Sequence, residues 1–164
     1  MRVVHPHGAA FEVRAEPVER LGERYRRYRL ADPHAEQAMA RSLERWGQLT
    51  PGVVCLRGEQ WEVVDGFKRL AAARLLDWPT LLVRCLEDAD ERTVKAALYG
   101  LNRGQHLQEL EEAWLVQALV REDGLSQVEA AELLGRHKSW ACRRLALRIR
   151  FRNESPRARA TGVV

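Results

Sequence analysis

The chain has 164 residues, 46% of them hydrophobic, with 27 basic against 23 acidic residues and a formal net charge of +4. That length allows one mid-sized domain or two small ones, and the apolar fraction excludes a chain disordered throughout. No apolar run is long enough to cross a membrane, and the start, MRVVHPHGAAFEV, has no long apolar core after a basic head, so secretion and membrane spanning are both disfavoured.

His5 and His7 stand near the N-terminus with no further ligand beside them, and a closed metal site needs three or four. Arg24, Arg26, Arg27 and Arg29 form a first basic cluster. Asp32-Pro33 is a good helix start, and Ala35, Ala38, Met39, Leu43 and Trp46 then recur at helical spacing up to a stop at Gly47. GVVCL at 52–56 and WEVVD at 61–65 are β-rich runs separated by four turn-forming or polar residues, which reads as a hairpin. A helix begins after Asp65-Gly66, with an inner face expected from Leu70, Ala71, Arg74 and Leu75 and an end at Trp78-Pro79. LLVRCL at 81–86 returns as a strand. Cys55, Cys85 and Cys142 are far apart and lack the two-residue spacing of zinc or redox pairs, so reduced cytosolic thiols are expected.

After the acidic stretch 87–91 the pattern turns helical, with Val94, Ala97, Leu98 and Leu101 on one face, then Leu110, Trp114, Leu115, Ala118 and Leu119 on the next. The segment 126–147 reads as a helix-turn-helix. Ser126 caps a first helix whose inner side carries Ala130, Ala131 and Leu134, Gly135 ends it, and a second helix restarts at Lys138-Ser139 with Ala141 and Leu145 inward. Its outward residues are expected to be Lys138, Trp140, Arg143 and Arg144. Arg136, Lys138, Arg143, Arg144, Arg148, Arg150 and Arg152 follow one another without an intervening acid, which favours a polyanion at this face. The second helix of such a motif enters the major groove while nearby basic groups hold phosphates. The DNA-facing set is therefore Gln127, Arg136, His137, Lys138, Ser139, Trp140, Arg143 and Arg144, with double-stranded DNA as the partner. Residues 151–164 read as a basic flexible tail.

The order of these pieces resembles the ParB family of partition proteins over roughly residues 20–147. SLERWGQLTPGVV at 42–54 resembles the family's helix ending in Gly-Gln before Pro and a strand. DGFKRLAAARLL at 65–76 is similar to its Gly-Glu-Arg-Arg box, and NRGQHLQELEEA at 102–113 to its Glu-Asn-x-x-Arg box and following helix. The helix-turn-helix is the fourth match. The resemblance implies an α+β fold: a small mixed ParB/sulfiredoxin-like N-terminal domain over 20–90, then an all-α DNA-binding domain over 91–150.

It also implies functions for particular positions. After a strand, Gly66 lets the backbone approach a ligand, and the next helix offers free amides and a positive dipole end to an anion, with Lys68 and Arg69 adding charge. In ParB proteins the matching box helps to hold the triphosphate of CTP. The implied nucleotide-binding set is Thr50, Gly66, Lys68, Arg69, Asn102 and Arg103, with Asn102 also the implied magnesium contact. Phe67 replaces the box's Glu, and Leu101 stands where the acid of the third box would be, which argues against CTP hydrolysis. Phe67 also occupies the position of sulfiredoxin's catalytic Cys, which argues against sulfur repair, and Glu62 and Asp65 alone make a poor two-metal nuclease. The expectation is a sequence-specific DNA-binding protein that is CTP-responsive and acts in plasmid or chromosome segregation. It would be a homodimer, cytoplasmic and nucleoid- or plasmid-associated, with a ParA-type partition ATPase as partner. The alternatives are a stand-alone transcription regulator of a plasmid or mobile element without a CTP switch, or a nucleotide-dependent small-molecule kinase on the same fold. ParB proteins usually continue into a further dimerisation domain, whereas this sequence stops at Val164, so it reads either as a shortened form or as one lacking that clamp.

Overall fold

The structure, a computed structural model, describes residues 2–4, 10–104 and 107–150. His5, His7 and the expected 151–164 tail lie outside the described residues. The chain is α+β and divides into two compact units, one formed by residues 1–26 and 32–88, the other by 27–31 and 89–164.

The first unit holds a sheet in the order β1-β2-β6-β4-β5-β3, whose strands are β1 (Arg2–Val4), β2 (Ala10–Pro17), β3 (Leu21–Gly22), β4 (Gly52–Arg57), β5 (Gln60–Asp65) and β6 (Thr80–Leu86). The expected hairpin is β4–β5, closed at Gly58 with φ +61° and registered with Val54 opposite Val63 and Leu56 opposite Trp61. β4 and β6 run parallel, with β5 and α2 (Phe67–Leu75) forming the connection between them. α1 (Pro33–Trp46) starts where the Asp-Pro pair predicts, with Asp32 Oδ1 accepting from the Ala35 N–H at 3.0 Å, and ends at Gly47 with φ +68°. The core gathers Leu43, Val53, Val54, Cys55, Val63, Val64, Phe67, Leu70, Ala73, Leu81 and Val83.

Three details depart from the sequence reading. β2 pairs antiparallel with β6 and adds a strand on the N-terminal side of residue 20, where the domain was expected to begin. The inner face of α2 is Phe67, Leu70, Ala72 and Ala73, while Leu75 is 64% exposed and Arg74, also expected inside, is exposed and turns to Glu23 Oε2 at 2.6 Å. Trp46, expected on the inner face of α1, is 61% exposed with the Arg45 guanidinium 4.7 Å from its ring.

The second unit is helical: α3 (Glu91–Asn102), α4 (Glu109–Arg121), α5 (Gln127–Leu133) and α6 (Lys138–Arg150). α4 is its axis. Ala113, Trp114, Leu115, Val116, Ala118 and Leu119 are all buried, as expected of a helix apolar around most of its circumference. α3 turns Val94, Leu98 and Tyr99 inward, and Leu101, expected to join them, is exposed. Lys95 is 1% exposed and its Nζ lies 2.6 Å from Asp123 Oδ2, a buried ion pair between α3 and the α4–α5 connection. The detached segment 27–31 is clipped here by Glu111, whose Oε1 accepts from the Leu30 N–H at 2.8 Å and lies 3.6 Å from Arg29 Nη1. Oε2 of the same carboxylate takes the Gln108 N–H at 2.6 Å.

Candidate nucleic-acid interface

The helix-turn-helix is built by local signals. Ser126 Oγ accepts from the Glu129 N–H at 3.2 Å while Glu129 Oε2 accepts from the Ser126 N–H at 2.7 Å, a reciprocal cap for α5. The Ser126 backbone bond holds the Glu129 carboxyl below the usual range. Ala130, Ala131 and Leu134 are buried, Gly135 takes φ +65°, and the Arg136 N–H closes on the Ala131 carbonyl at 2.8 Å. The Ser139 N–H then points at His137 Nδ1 at 3.3 Å.

The outward surface differs from the expected one at two residues. Trp140 is 8% exposed, not outward: its ring meets Tyr99 edge-on at 5.7 Å and lies between the guanidinium groups of Arg136 and Arg144, at 5.4 and 5.5 Å. Arg144 also turns into its own unit, its Nε donating to Glu112 Oε2 at 2.6 Å and its Nη2 3.1 Å from Glu109. Arg144 turns inward because α4 supplies two carboxylates, Glu109 and Glu112, to receive it. Gln127, Arg136, His137, Lys138, Ser139 and Arg143 are exposed. Arg136 is held in place by its Nε bond to the Tyr99 hydroxyl at 2.6 Å, which also raises its pKa. On α6, Ser139, Cys142, Arg143 and Ala146 form the exposed stripe opposite buried Ala141. Sequence reasoning missed Tyr99, whose hydroxyl fixes Arg136 from another helix, and Cys142, which no motif marks.

In the first unit, the start of α2 is a candidate anion cradle. α1, α3 and α5 have side-chain caps at their first turns, whereas α2 begins at Gly66 with none, so its leading amides are left for a ligand or solvent. Gly66 is required there, because its φ is +109° and a Cβ would stand 3.3 Å from Gly52 Cα and 3.1 Å from Arg69 Nη1. That Nη1 is buried, makes no hydrogen bond, and is 3.9 Å from Asp65 Oδ2, a donor that a phosphate oxygen would satisfy. Lys68 is half-buried on the same turn, and Phe67 is buried with Arg26 over its ring at 5.8 Å, so it fills core space.

Thr50 is exposed on the loop before β4, a loop secured by Gln48, whose side chain donates to the Leu82 carbonyl and accepts the Leu82 N–H, each at 2.7 Å. That two-way bond gives the Gly-Gln pair a structural reason. Glu62 is committed to the Arg24 N–H at 2.8 Å. In the second unit Arg103 is exposed, and Asn102 is buried with its Nδ2 donating to the Leu98 carbonyl at 2.8 Å. Among the described residues no group of three or more His, Cys, Asp or Glu side chains could hold a metal ion, and no helix is long and apolar enough to cross a membrane.

A family model described as the ParB N-terminal domain matches residues 7–100. A nucleoid occlusion protein from Halalkalibacterium halodurans is 28% identical over 141 residues, which are 85% of this chain and 50% of that protein. The chain spans about half the length of the curated relatives it matches. Among solved structures, the C-terminally truncated chromosome-partitioning protein ParB from Caulobacter crescentus, complexed to the centromeric parS site, is similar with a TM-score of 0.54 and 21% identity, over 82% of this chain and 71% of that one. The same Caulobacter protein complexed with CTP-gamma-S gives a TM-score of 0.50 and 21% identity, over 83% and 78% of the two chains. These structural likenesses establish a shared fold.

Proposed function

Because this chain belongs to the ParB N-terminal domain family, we propose that it is a partition-type protein that reads a duplex DNA site through α5 and α6 and responds to CTP through the start of α2. The observation that carries the reading is the exposed basic turn. Arg136, Lys138 and Arg143 surround the N-terminus of α6 beside the exposed stripe of Ser139 and Cys142, while Trp140 and Arg144 are spent on the fold behind it. Such an arrangement offers phosphate contacts from Arg, Lys and the helix start, with a slender groove-facing edge between them. The Caulobacter relative's complex with parS supports the same assignment.

For the nucleotide, the uncapped first turn of α2, the Cβ-free approach at Gly66 and the orphaned Arg69 donor fit a polyphosphate, with Lys68 on the same turn and Thr50 on the loop before β4 of the same unit. CTP is the nucleotide assigned because the Caulobacter relative was crystallised with CTP-gamma-S. Magnesium would accompany the phosphates. Phe67 and Leu101 leave both acidic positions of the family pattern empty, so the reading is binding without hydrolysis. One helix-turn-helix reads only a half-site, so the acting species is a homodimer on a palindrome. A segregation role would bring a ParA-type ATPase as partner and a nucleoid or plasmid location. The loss of those acids is also what a transcription regulator without a CTP switch would show.

The deciding experiment is selection of bound duplexes from a random-sequence library, with and without CTP and magnesium. An enriched palindrome whose retention changes with CTP supports the full proposal. Enrichment indifferent to CTP supports the regulator, and a flat library refutes sequence reading.

A further inference from the structure

Cys142 lies in the middle of the exposed stripe of α6, between Ser139 and Ala146 and next to Arg143. Its thiol has a partner on the other helix of the motif: Sγ donates to Gln127 Oε1 at 2.9 Å. Gln127 is the first residue of α5 and is itself exposed. A glutamine amide can present either end to a ligand, two N–H donors or an oxygen acceptor, and its carbon chain leaves that choice free unless a neighbour decides it. Here the thiol engages the oxygen, which leaves both N–H donors of the amide to face outward.

We infer that Cys142 is a specificity-positioning residue, which fixes Gln127 as a hydrogen-bond donor and so makes it a reader of acceptor atoms on a base edge. The inference rests on the proposed DNA-reading function of α5 and α6. In the major groove the acceptors are guanine O6 and N7, adenine N7 and thymine O4, whereas cytosine offers a donor. A Gln127 held with its oxygen inward discriminates against the donor edge. A Gln127 free to turn over accepts either and discriminates less. The thiol suits the role because it is small enough to lie under a groove-facing side chain and, unlike an alanine methyl, can hold the amide by its oxygen.

The test is the random-duplex selection run with the full chain and with Cys142→Ala, Cys142→Ser, Gln127→Ala and the double variant Cys142→Ala/Gln127→Ala, alongside thermal unfolding of each. Cys142→Ala is expected to weaken base preference about three- to tenfold at one symmetry-related pair of positions, the scale of a single net hydrogen bond, with the other positions and the unfolding midpoint unchanged. Cys142→Ser, which keeps a donor, restores the preference. Gln127→Ala loses it at the same positions, and the double variant loses no more than Gln127→Ala does. If the wild-type chain selects a site and Cys142→Ala selects the same one with the same preferences, the inference is overturned while the DNA reading stands. A uniform loss of affinity across all positions also overturns it, since that is the mark of a phosphate contact. A flat library with the wild-type chain removes the DNA reading and this inference together.

Discussion

Replacing Asp123 by Ala should unfold the helical unit at a much lower temperature, because it leaves the Lys95 ammonium buried without its carboxylate. Lys95 is 1% exposed, Asp123 is itself largely enclosed, and the two meet at 2.6 Å, so water cannot take over when one partner is removed. Breaking such a pair costs about 3–5 kcal/mol, far above the ~1 kcal/mol ceiling for an exposed one. The second unit comprises 27–31 with 89–164, about 80 residues. At roughly 2.1 cal/mol/K of unfolding entropy per residue, its Tm should fall by roughly 18–29 °C. Thermal scans followed by circular dichroism measure this, and the double variant Lys95→Met/Asp123→Ala should recover most of the loss, since Met fills the same volume without charge. A drop of only a few degrees for Asp123→Ala, or no recovery in the double variant, would refute the view that desolvated charge governs the effect. In that case the bond from Arg92 to the Asp123 carbonyl, at 3.2 Å, would be the stronger tie between α3 and the connection to α5.

Gly66→Ala should cost about 1–2 kcal/mol of stability, since φ +109° is unfavourable for a residue with a Cβ. It should also abolish CTP binding in an isothermal titration, and full-affinity binding would show that the cradle is not the site. If Arg136, Lys138 and Arg143 each neutralise a phosphate, the log-log salt slope per half-site should be roughly −2.7, about a fortyfold loss of affinity between 50 and 200 mM salt. Lys138→Ala should make it shallower by about 0.9, and an unchanged slope would remove Lys138 from the phosphate contacts. The Tyr28 hydroxyl is pushed up to about 12, chiefly by burial, so it keeps its proton in the fold at pH values where the unfolded chain has lost it. The native state then binds more protons between pH 10 and 12, and stability should fall as pH rises through that window. Tyr28→Phe should blunt the fall in alkaline denaturant titrations.

The helix-turn-helix could be read directly because its determinants are local: the Ser126–Glu129 cap, the φ +65° position of Gly135 and the buried Ala130, Ala131 and Leu134 all lie within a few residues of one another. The α1 start at Asp32-Pro33 and the β4–β5 hairpin were legible for the same reason. What was not legible depends on residues distant in sequence. Trp140, on a helix crowded with arginine, reads as outward until Tyr99 and the carboxylates of α4 enclose it and Arg144. β2 alternates Val13 and Ala15 with Glu12, Arg14 and Glu16, a half-exposed pattern that becomes a strand only through pairing with β6, far along the chain. Gly66, Lys68 and Arg69 mark the candidate cradle in the sequence, but that Phe67 is core, and that Arg69 is left with an orphaned donor, follows from packing that no local spacing encodes.

The segment 27–31 belongs to the helical unit although it precedes most of the sheet unit in sequence, so the second unit is assembled from two separate stretches of chain. It is therefore not a cassette that recombination could lift out at a single breakpoint. A fragment beginning at residue 89 would keep α3 to α6 and yet lose the Leu30 amide and the Arg29 guanidinium, leaving Glu111, 2% exposed, with the Gln108 amide as its remaining partner among the described residues. Supplying residues 24–32 as a separate peptide should stabilise such a fragment in proportion to its concentration. Inheritance of the helical unit is thus tied to inheritance of a short stretch upstream of the sheet unit's first helix, and exchanging helical units between relatives would succeed only where both stretches travel together.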